Sequence, residues 1–284
     1  MGMLKCVALK VASISRRSAL LGENTLICLK EEGEDMIIDF HSHVGDPWYS
    51  YWKKNVEVKD HLASMDRYGI KLRCISWWQA MNAPDEGNAK IAEVVRKHPD
   101  RFLGFSVINP RWHKAAIDEV LRAKMDLGMV GLKFHPAACH FHSDSSCLDK
   151  VVEKGIELKF PMLFHCGADE YSNPRNLGNL AARYPEATII MAHMGEEAWF
   201  EGISIAGRYP NIILDTTGSF NWYRIMNFGI ETVGEERIVF GMDFPAYNPG
   251  PEIAKVRDAD ITEEQKAKIF WKNTARILGL NLKE

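Results

Sequence analysis

Short apolar runs alternate with amphipathic stretches from Met36 almost to the end of the chain. In the amphipathic stretches, for example 89–95 and 116–123, apolar residues recur at three- and four-residue spacing, which is typical of helices packed on a core. Regular strand–helix alternation predicts parallel strands joined by right-handed crossovers. Eight such units favour an α/β fold of the (β/α)8 TIM-barrel type over an open sheet. The predicted strands are 36–40, 71–77, 102–107, 129–134, 161–165, 188–192, 211–215 and 237–242.

Four of the predicted strands end at a residue that can bind a metal ion. The first runs into His41 and His43, the fifth ends on His165, the sixth leads to His193 and the eighth to Asp243. In a parallel barrel the carboxyl ends of the strands meet at one mouth, where catalytic groups collect. Because side chains two residues apart on a strand point to the same side, His41 and His43 can bind one ion together. One histidine at a strand end carries little information, but all four positions together predict a metal site.

The donor types narrow the choice of metal. Imidazole nitrogens with one carboxylate suit a divalent transition metal, so we expect one divalent ion, with Zn²⁺ as the first expectation and Mn²⁺, Fe²⁺ or Co²⁺ as alternatives. A third histidine from the fifth strand and a carboxylate from the eighth would leave a position open for water. Water bound to such an ion has a pKa near ~7 and supplies hydroxide at neutral pH.

Composition and charge are those of an ordinary globular protein. The chain has 284 residues, 46% hydrophobic residues and a net charge of −3. These values give no reason to expect a nucleic acid or a membrane as a partner, so the expected partner is a small-molecule substrate. The six cysteines include no CxxC pair, which indicates reduced thiols and a cytoplasmic protein.

The first 35 residues differ from the rest. They begin basic and end in the charged cluster 31–35. Arg16 and Arg17 faintly suggest an export signal, but Glu23 and Asn24 interrupt its apolar part. We therefore predict that 1–35 is an N-terminal extension, either a misassigned start or a small appendage. Residues 36–284 form one barrel domain, close to the ~250 residues typical of this fold.

The motifs at the strand ends resemble those of the amidohydrolase superfamily, and more narrowly its amidohydrolase-related branch, which includes aminocarboxymuconate semialdehyde decarboxylase. This resemblance covers the chain from Met36 onward and rests on five motifs in order: His41-Ser42-His43, Gly131-Leu132-Lys133-Phe134-His135-Pro136, His165-Cys166-Gly167, Ala192-His193-Met194-Gly195 and Gly241-Met242-Asp243-Phe244-Pro245.

The resemblance implies a distorted TIM barrel with one divalent metal, held by His41, His43, His165 and Asp243. His193 would then be a catalytic residue that orients or deprotonates the metal-bound water. Asp243 would be a ligand that can also take the proton. Barrels of this branch are often dimers, so a homodimer is a further expectation.

Three functions remain open at this point. The main hypothesis is hydrolysis, in which metal-activated water attacks a small amide, lactone or ester-like substrate. The alternative is non-oxidative decarboxylation of a small unsaturated or aromatic carboxylic acid by the same ligands. A non-catalytic metal- or ligand-binding barrel is the third, and His193 argues against it because a purely structural site needs no extra histidine.

Four residues are candidates for substrate binding. Lys133 and His135 share parity on the fourth strand and can both point into the barrel, where Lys133 would meet a substrate carboxylate or, as in binuclear amidohydrolases, be carboxylated and bridge two metals. Arg111 can pair bidentately with a carboxylate, or is a solvated loop charge. Trp48 belongs to an aromatic cluster that is either a pocket wall or ordinary core. His61, on a helix-like stretch, is expected at the surface.

Overall fold

The computed structural model describes residues 36–45, 56–218 and 224–282. Within them, eight strands pair in parallel and in sequence order, as the alternation of apolar runs predicts. The chain is therefore a TIM barrel, and the predicted strands are confirmed to within a few residues. The strands are β1 (Ile37–Val44), β2 (Ile70–Trp77), β3 (Phe102–Val107), β4 (Gly131–Phe134), β5 (Met162–Phe164), β6 (Ile189–Met191), β7 (Ile212–Asp215) and β8 (Ile238–Val239).

Helices follow the strands and cover the outside of the sheet. Several begin at proline in the first turn, where a missing N–H costs nothing, and α1 and α11 end at a glycine in the left-handed region. The helices are α1 (Val58–Tyr68), α2 (Pro84–Lys97), α3 (Lys114–Met125), α4 (Pro136–Cys139), α5 (Asp149–Glu157), α6 (Pro174–Arg183), α7 (Trp199–Arg208), α8 (Ile225–Val233), α9 (Pro249–Arg257), α10 (Glu263–Ala267) and α11 (Asn273–Leu278), with a π-helical turn at Lys268–Lys272.

Alternate residues of the strands face two separate apolar layers. Ile37 of β1 and Ile70 of β2 pack in the larger layer, while Ile38, Phe40 and Leu72 pack in a smaller one with residues from the other strands. This period of two is expected when one side of each strand faces the helices and the other faces the barrel interior. The smaller layer therefore fills the barrel and leaves the mouth to polar side chains.

The barrel closes between β1 and β8 through an irregular seam, which we define as residues 40–43 and 240–244. Backbone hydrogen bonds cross it from Phe40 N to Phe240 O (2.8 Å), from His43 N to Phe244 O (2.7 Å) and from Asp243 N to His41 O (2.6 Å). They form no regular ladder, and β8 is shorter than its apolar run predicts. Of the predicted metal ligands, His41 and His43 lie on one side of this seam and Asp243 on the other.

A β-bulge in β1 adjoins the seam. Asp39 pairs with Arg73 and Ser42 pairs with Ile75, so two residues of β1 lie opposite one residue of β2. Such an extra residue shifts the alternation of side chains. Phe40 can therefore pack inside the barrel while His41 and His43, one residue out of phase with it, face the mouth.

Among the described residues, none of the helices combines the length and hydropathy that crossing a bilayer would need.

Candidate metal centre

His41 and His43 of β1 and Asp243 beside β8 bring their ligand atoms together at the mouth of the barrel. One donor atom from each lies within 4.8 Å of the others, and all three side chains are buried. The two Nε2 atoms are 3.2 Å apart, and Asp243 Oδ1 lies 3.1 Å from Nε2 of His43 and 3.8 Å from Nε2 of His41. The two strands at the seam thus supply one compact set of donors.

The hydrogen bonds to Nδ1 of each ring leave Nε2 as the nitrogen that faces the centre. His41 Nδ1 lies 2.7 Å from Asp215 Oδ2, and His43 Nδ1 lies 2.8 Å from Ser76 Oγ. A ring that donates its Nδ1 proton to a carboxylate keeps a lone pair on Nε2, as metal ligation requires. Burial, with the charge of Lys133, lowers the pKa of both imidazoles and keeps them neutral.

This donor set fits a divalent cation. Two Nε2 atoms and a carboxylate oxygen converge, and Asp243 Oδ1 has no hydrogen-bond partner in the described part of the chain. Burial raises the pKa of Asp243 to about 7, a shift that Lys133 opposes. Neutral nitrogens with one carboxylate are ordinary ligands of Zn²⁺, Mn²⁺ and Fe²⁺.

Lys133 of β4 also reaches this centre. Its Nζ lies 2.6 Å from His41 Nε2, and the side chain is almost completely buried. Burial lowers its pKa to about 8, although Asp243 and Asp215 act in the opposite direction. A metal ion would therefore compete with the Lys133 ammonium group for His41 Nε2, and an anionic substrate could bind that ammonium group. This location is consistent with the inward parity of Lys133 on β4.

His165, the fourth predicted ligand, lies on the opposite side of the mouth. The metal-capable group found in the described residues contains the other three ligands and not His165. Its Nδ1 is 3.1 Å from His193 Nε2, and its ring stacks on His135 with centroids 4.0 Å apart. Burial and then Lys133 lower its pKa to about 3. Its place in the ligand set stays a prediction.

His193 begins a strained loop after β6. Four consecutive residues, His193, Met194, Gly195 and Glu196, have φ values of 60°, 52°, 96° and 52°. Such left-handed backbone is uncommon outside glycine and concentrates at functional sites. The buried His193 ring lies 5.2 Å from that of His41, and its Nδ1 has no hydrogen-bond partner among residues 36–45, 56–218 and 224–282.

Sequence reasoning missed several residues of the site. Asp215, which accepts from His41, is the last residue of its strand, the same position that identified the other candidates. Thr217 donates to Asp215 through its hydroxyl group, and it lies 3.2 Å from His41 Nδ1. Glu196 lies near the mouth, where burial, with Glu197 and Asp243, raises its pKa to about 7.

The remaining candidates lie in different surroundings. His135 is buried against His165, at the mouth as expected. Arg111 is exposed, and its guanidinium donates to Cys139 O at 3.4 Å. Trp48 lies outside the described residues. The surface location expected for His61 is wrong: its ring is fully buried between Arg73 and Phe244.

Known proteins resemble this chain over most of its length. The amidohydrolase family model matches residues 38–280. A gamma-resorcylate decarboxylase of Polaromonas sp. (strain JS666) is 24% identical over 332 residues, covering 91% of this chain and 99% of that protein. The crystal structure of 5-carboxyvanillate decarboxylase from Sphingomonas paucimobilis matches with a TM-score of 0.71 and 18% identity, covering 87% of this chain and 99% of the other.

A third match is a dihydroxybenzoic acid decarboxylase from Polaromonas sp. JS666, with bound manganese and the inhibitor 2-nitroresorcinol. Its TM-score is 0.70 and its identity 18%, over 87% of this chain and 98% of that one. These structures share the barrel fold with this chain. The family match covers most of the sequence and includes the motifs at the strand ends, so this chain belongs to the amidohydrolase family.

Proposed function

We propose that this protein is a metal-dependent decarboxylase of a small hydroxylated aromatic carboxylic acid. The observation that carries the proposal is the convergence of His41, His43 and Asp243 on one point of the barrel mouth. The relatives described above are named as decarboxylases of aromatic acids and match nearly the whole chain. They favour the decarboxylation alternative over hydrolysis, which was the first hypothesis from the sequence.

The proposed cofactor is one divalent ion held by His41, His43 and Asp243, with His165 as a further ligand. One relative of the same fold holds manganese, so Mn²⁺ replaces Zn²⁺ as our first choice. When bound, the ion would attract the carboxylate and hydroxyl oxygens of the substrate and draw electron density from the ring.

Decarboxylation requires that a ring carbon gains a proton as CO₂ departs. The C–C bond breaks, its electron pair stays on the ring carbon, and a nearby acid protonates that carbon. Asp243, which lies at the mouth beside His41 and His43, is proposed to carry that proton. His193 lies on the other side of the mouth with a buried nitrogen that has no partner among the described residues, and it can bind a substrate oxygen there.

Other residues would hold the substrate. Lys133 presents a buried positive charge beside His41, which would attract an acid entering the barrel. His135 lies next to His165 and is proposed as a second contact. Arg111 is exposed and would contact only a substrate group that projects from the mouth. Trp48 remains a proposal for the wall of the substrate pocket.

Three sequence-based expectations remain proposals: a homodimer, a cytoplasmic location, and an N-terminal extension over residues 1–35. The free thiols of Cys74, Cys139, Cys147 and Cys166 support the location.

The test is a substrate panel run on Mn²⁺-loaded and chelator-treated protein. The panel contains dihydroxybenzoic acids and carboxyvanillate beside lactones, amides and esters, and CO₂ release and product are both measured. We expect metal-dependent CO₂ release from a hydroxylated aromatic acid, and in D₂O one deuterium at the vacated carbon. His41→Ala is the control without a functional centre.

Two outcomes would contradict the proposal. Metal-dependent cleavage of a lactone, amide or ester without CO₂ release would restore the hydrolase hypothesis. Tight metal binding with no turnover of either substrate class would favour a non-catalytic binding barrel.

A further inference from the structure

A buried carboxylate lies behind the seam that joins the two halves of the metal centre. Asp39 of β1 has no exposed surface and lies at the start of the β1 bulge. Its side chain is on the opposite face of the strand from the metal ligands, because it pairs with Arg73, whose neighbours Leu72 and Cys74 face the barrel interior. Asp39 therefore contacts no substrate or metal, but it lies next to the backbone that carries them.

Asp39 accepts four hydrogen bonds, two on each carboxylate oxygen. Oδ1 accepts from the backbone N–H groups of His41 and Met242, both at 3.1 Å. Oδ2 accepts from Ser42 Oγ at 2.5 Å and from Arg73 Nε at 2.8 Å. One carboxylate group thus bonds the backbone of a metal ligand on β1 and the residue that precedes Asp243 on the other side of the seam.

Ser42 extends this connection to the far flank of Asp243. Its Oγ accepts a hydrogen bond from Phe244 N at 3.1 Å while it donates to Asp39. The backbone N–H groups before and after Asp243 are therefore both held by side chains of β1. Arg73 closes the arrangement from behind, since its guanidinium lies over the Phe244 ring at 4.7 Å.

These side-chain bonds take the place of a regular strand ladder. The bulge removes His41 N–H from the normal pairing with β2, and β8 ends at Val239, before Asp243 is reached. Buried backbone N–H groups require partners, and here Asp39 and Ser42 supply them. One carboxylate and one hydroxyl group thus add side-chain bonds to the few backbone bonds that join the two ligand-bearing segments.

We propose that Asp39, acting with Ser42, is a positioning residue that sets the geometry of the metal centre across the β1–β8 seam. This inference rests on the proposed metal site. It assigns no contact with metal or substrate to Asp39; the residue acts through the backbone of His41 and of the residues flanking Asp243. A metal site tolerates only small shifts of its ligands, so the affinity for the ion should report this role.

Asparagine at position 39 gives the sharpest test because its shape is nearly the same. All four partners of Asp39 are donors, and both oxygens are used. An amide group has one acceptor and one donor, so in one orientation its NH₂ faces the N–H groups of His41 and Met242. In the other it faces Arg73 Nε beside the Ser42 hydroxyl group, which can accept as well as donate. Asp39→Asn must therefore break the bonds to His41 and Met242, or the bond to Arg73 together with the present donation from Ser42.

The experiment measures Mn²⁺ affinity by electron paramagnetic resonance titration, with thermal unfolding of each variant in parallel. We expect Asp39→Asn to raise the dissociation constant for Mn²⁺ by about 10- to 100-fold, the range found when outer partners of metal ligands are removed. The control is Asn88→Asp, which exchanges the same groups in the opposite direction. Asn88 is equally buried and bonds Val107 and Glu119, away from the seam.

The outcomes separate this inference from the proposed function. If Asp39→Asn binds Mn²⁺ with the same dissociation constant as the wild type, or if Asn88→Asp loses as much affinity, the positioning role is overturned. The proposal of a metal site is unaffected by either result. A wild-type protein that binds no Mn²⁺ would overturn both. If Asp39→Asn does not fold, Ser42→Ala replaces it. That variant loses only the bonds to Asp39 and Phe244, and unchanged affinity there would equally overturn the inference.

Discussion

The two sides of the barrel mouth hold their histidines in different ways. On the seam side, each ligand histidine is fixed from behind by an oxygen: His41 by Asp215 and His43 by Ser76. On the other side, His165 and His193 contact each other through ring nitrogens, and Nδ1 of His193 has no partner in the described ranges. Under the proposed function, the seam side would keep donors fixed around a cation, and the β5–β6 side would offer a ring nitrogen to a reacting molecule.

The two sides of the mouth also differ in backbone conformation. The seam is an assembly of hydrogen-bonded backbone, whereas His193 begins a run of four residues with positive φ. Gly202 of α7 makes this loop possible, because a Cβ there would lie 2.2 Å from Met194 O. Backbone that costs free energy to form is expected where a side chain must point in one particular direction.

Alanine at a ligand position on each side gives the largest expected difference. His41→Ala removes a donor from the fixed group, so we expect a loss of Mn²⁺ affinity well beyond the about 10- to 100-fold caused by losing an outer partner. His165→Ala should weaken binding less, because His165 lies outside that group. Elemental analysis after dialysis measures both. Equal losses of metal from the two variants would show that His41 and His165 contribute equally to metal binding.

Substitution of His193 separates binding from turnover. His193→Asn keeps a polar side chain of similar reach but removes the imidazole, so we expect the metal content to stay and turnover to fall by ~10² or more. Metal analysis and steady-state kinetics on one preparation test this. Loss of metal together with activity would show that His193 is a ligand and would contradict its proposed role in turnover alone.

The last effect, on stability, concerns a buried ion pair that supports the seam side from α9. Lys255 donates to Glu252 at 2.8 Å and to the carbonyls of Thr216 and Gly218, which flank the Thr217 that contacts His41. Burial raises the pKa of Glu252 from 4.5 to about 7, although Lys255 opposes the shift. The folded chain therefore retains a proton that the unfolded chain has lost.

This difference in bound protons makes the stability of the folded chain depend on pH. The contribution of Glu252 to stability is fully present below pH 4.5 and is lost as pH rises through about 7. Relative to wild type, Glu252→Gln should gain up to about 3 kcal/mol in free energy of unfolding across that interval. Urea unfolding of both proteins at several pH values measures it. A constant difference between them would show that Glu252 does not titrate there.

Apolar runs were enough to predict the barrel and the end of each strand at which chemistry collects. A buried parallel strand is a local pattern, so β1, β3 and β7 could be found within a few residues. The same reasoning placed His41, His43, His165 and Asp243 together, and the metal-capable group of the described residues contains these ligands except His165. Their polar side chains at the ends of apolar runs have one common location in a closed barrel.

Contacts between distant segments could not be read in this way. Asp39 lies within an apolar run and looked like part of a strand, while its partners lie on β2 and beyond β8. His61 looked like a surface residue because its helix is polar on one side, yet it packs against Arg73 and Phe244. The reaction class was equally hidden, since hydrolysis and decarboxylation can use the same ligands.

The seam has a consequence for how the protein acquires its metal during synthesis. Ser42 and its partner Phe244 are separated by 202 residues, so a ribosome must produce nearly the whole barrel before they can meet. Until then His41 and His43 are a bare His-x-His pair without their carboxylate. Selection among divalent ions would therefore belong to the closed barrel, in which the carboxylate of Asp243 has joined the two histidines.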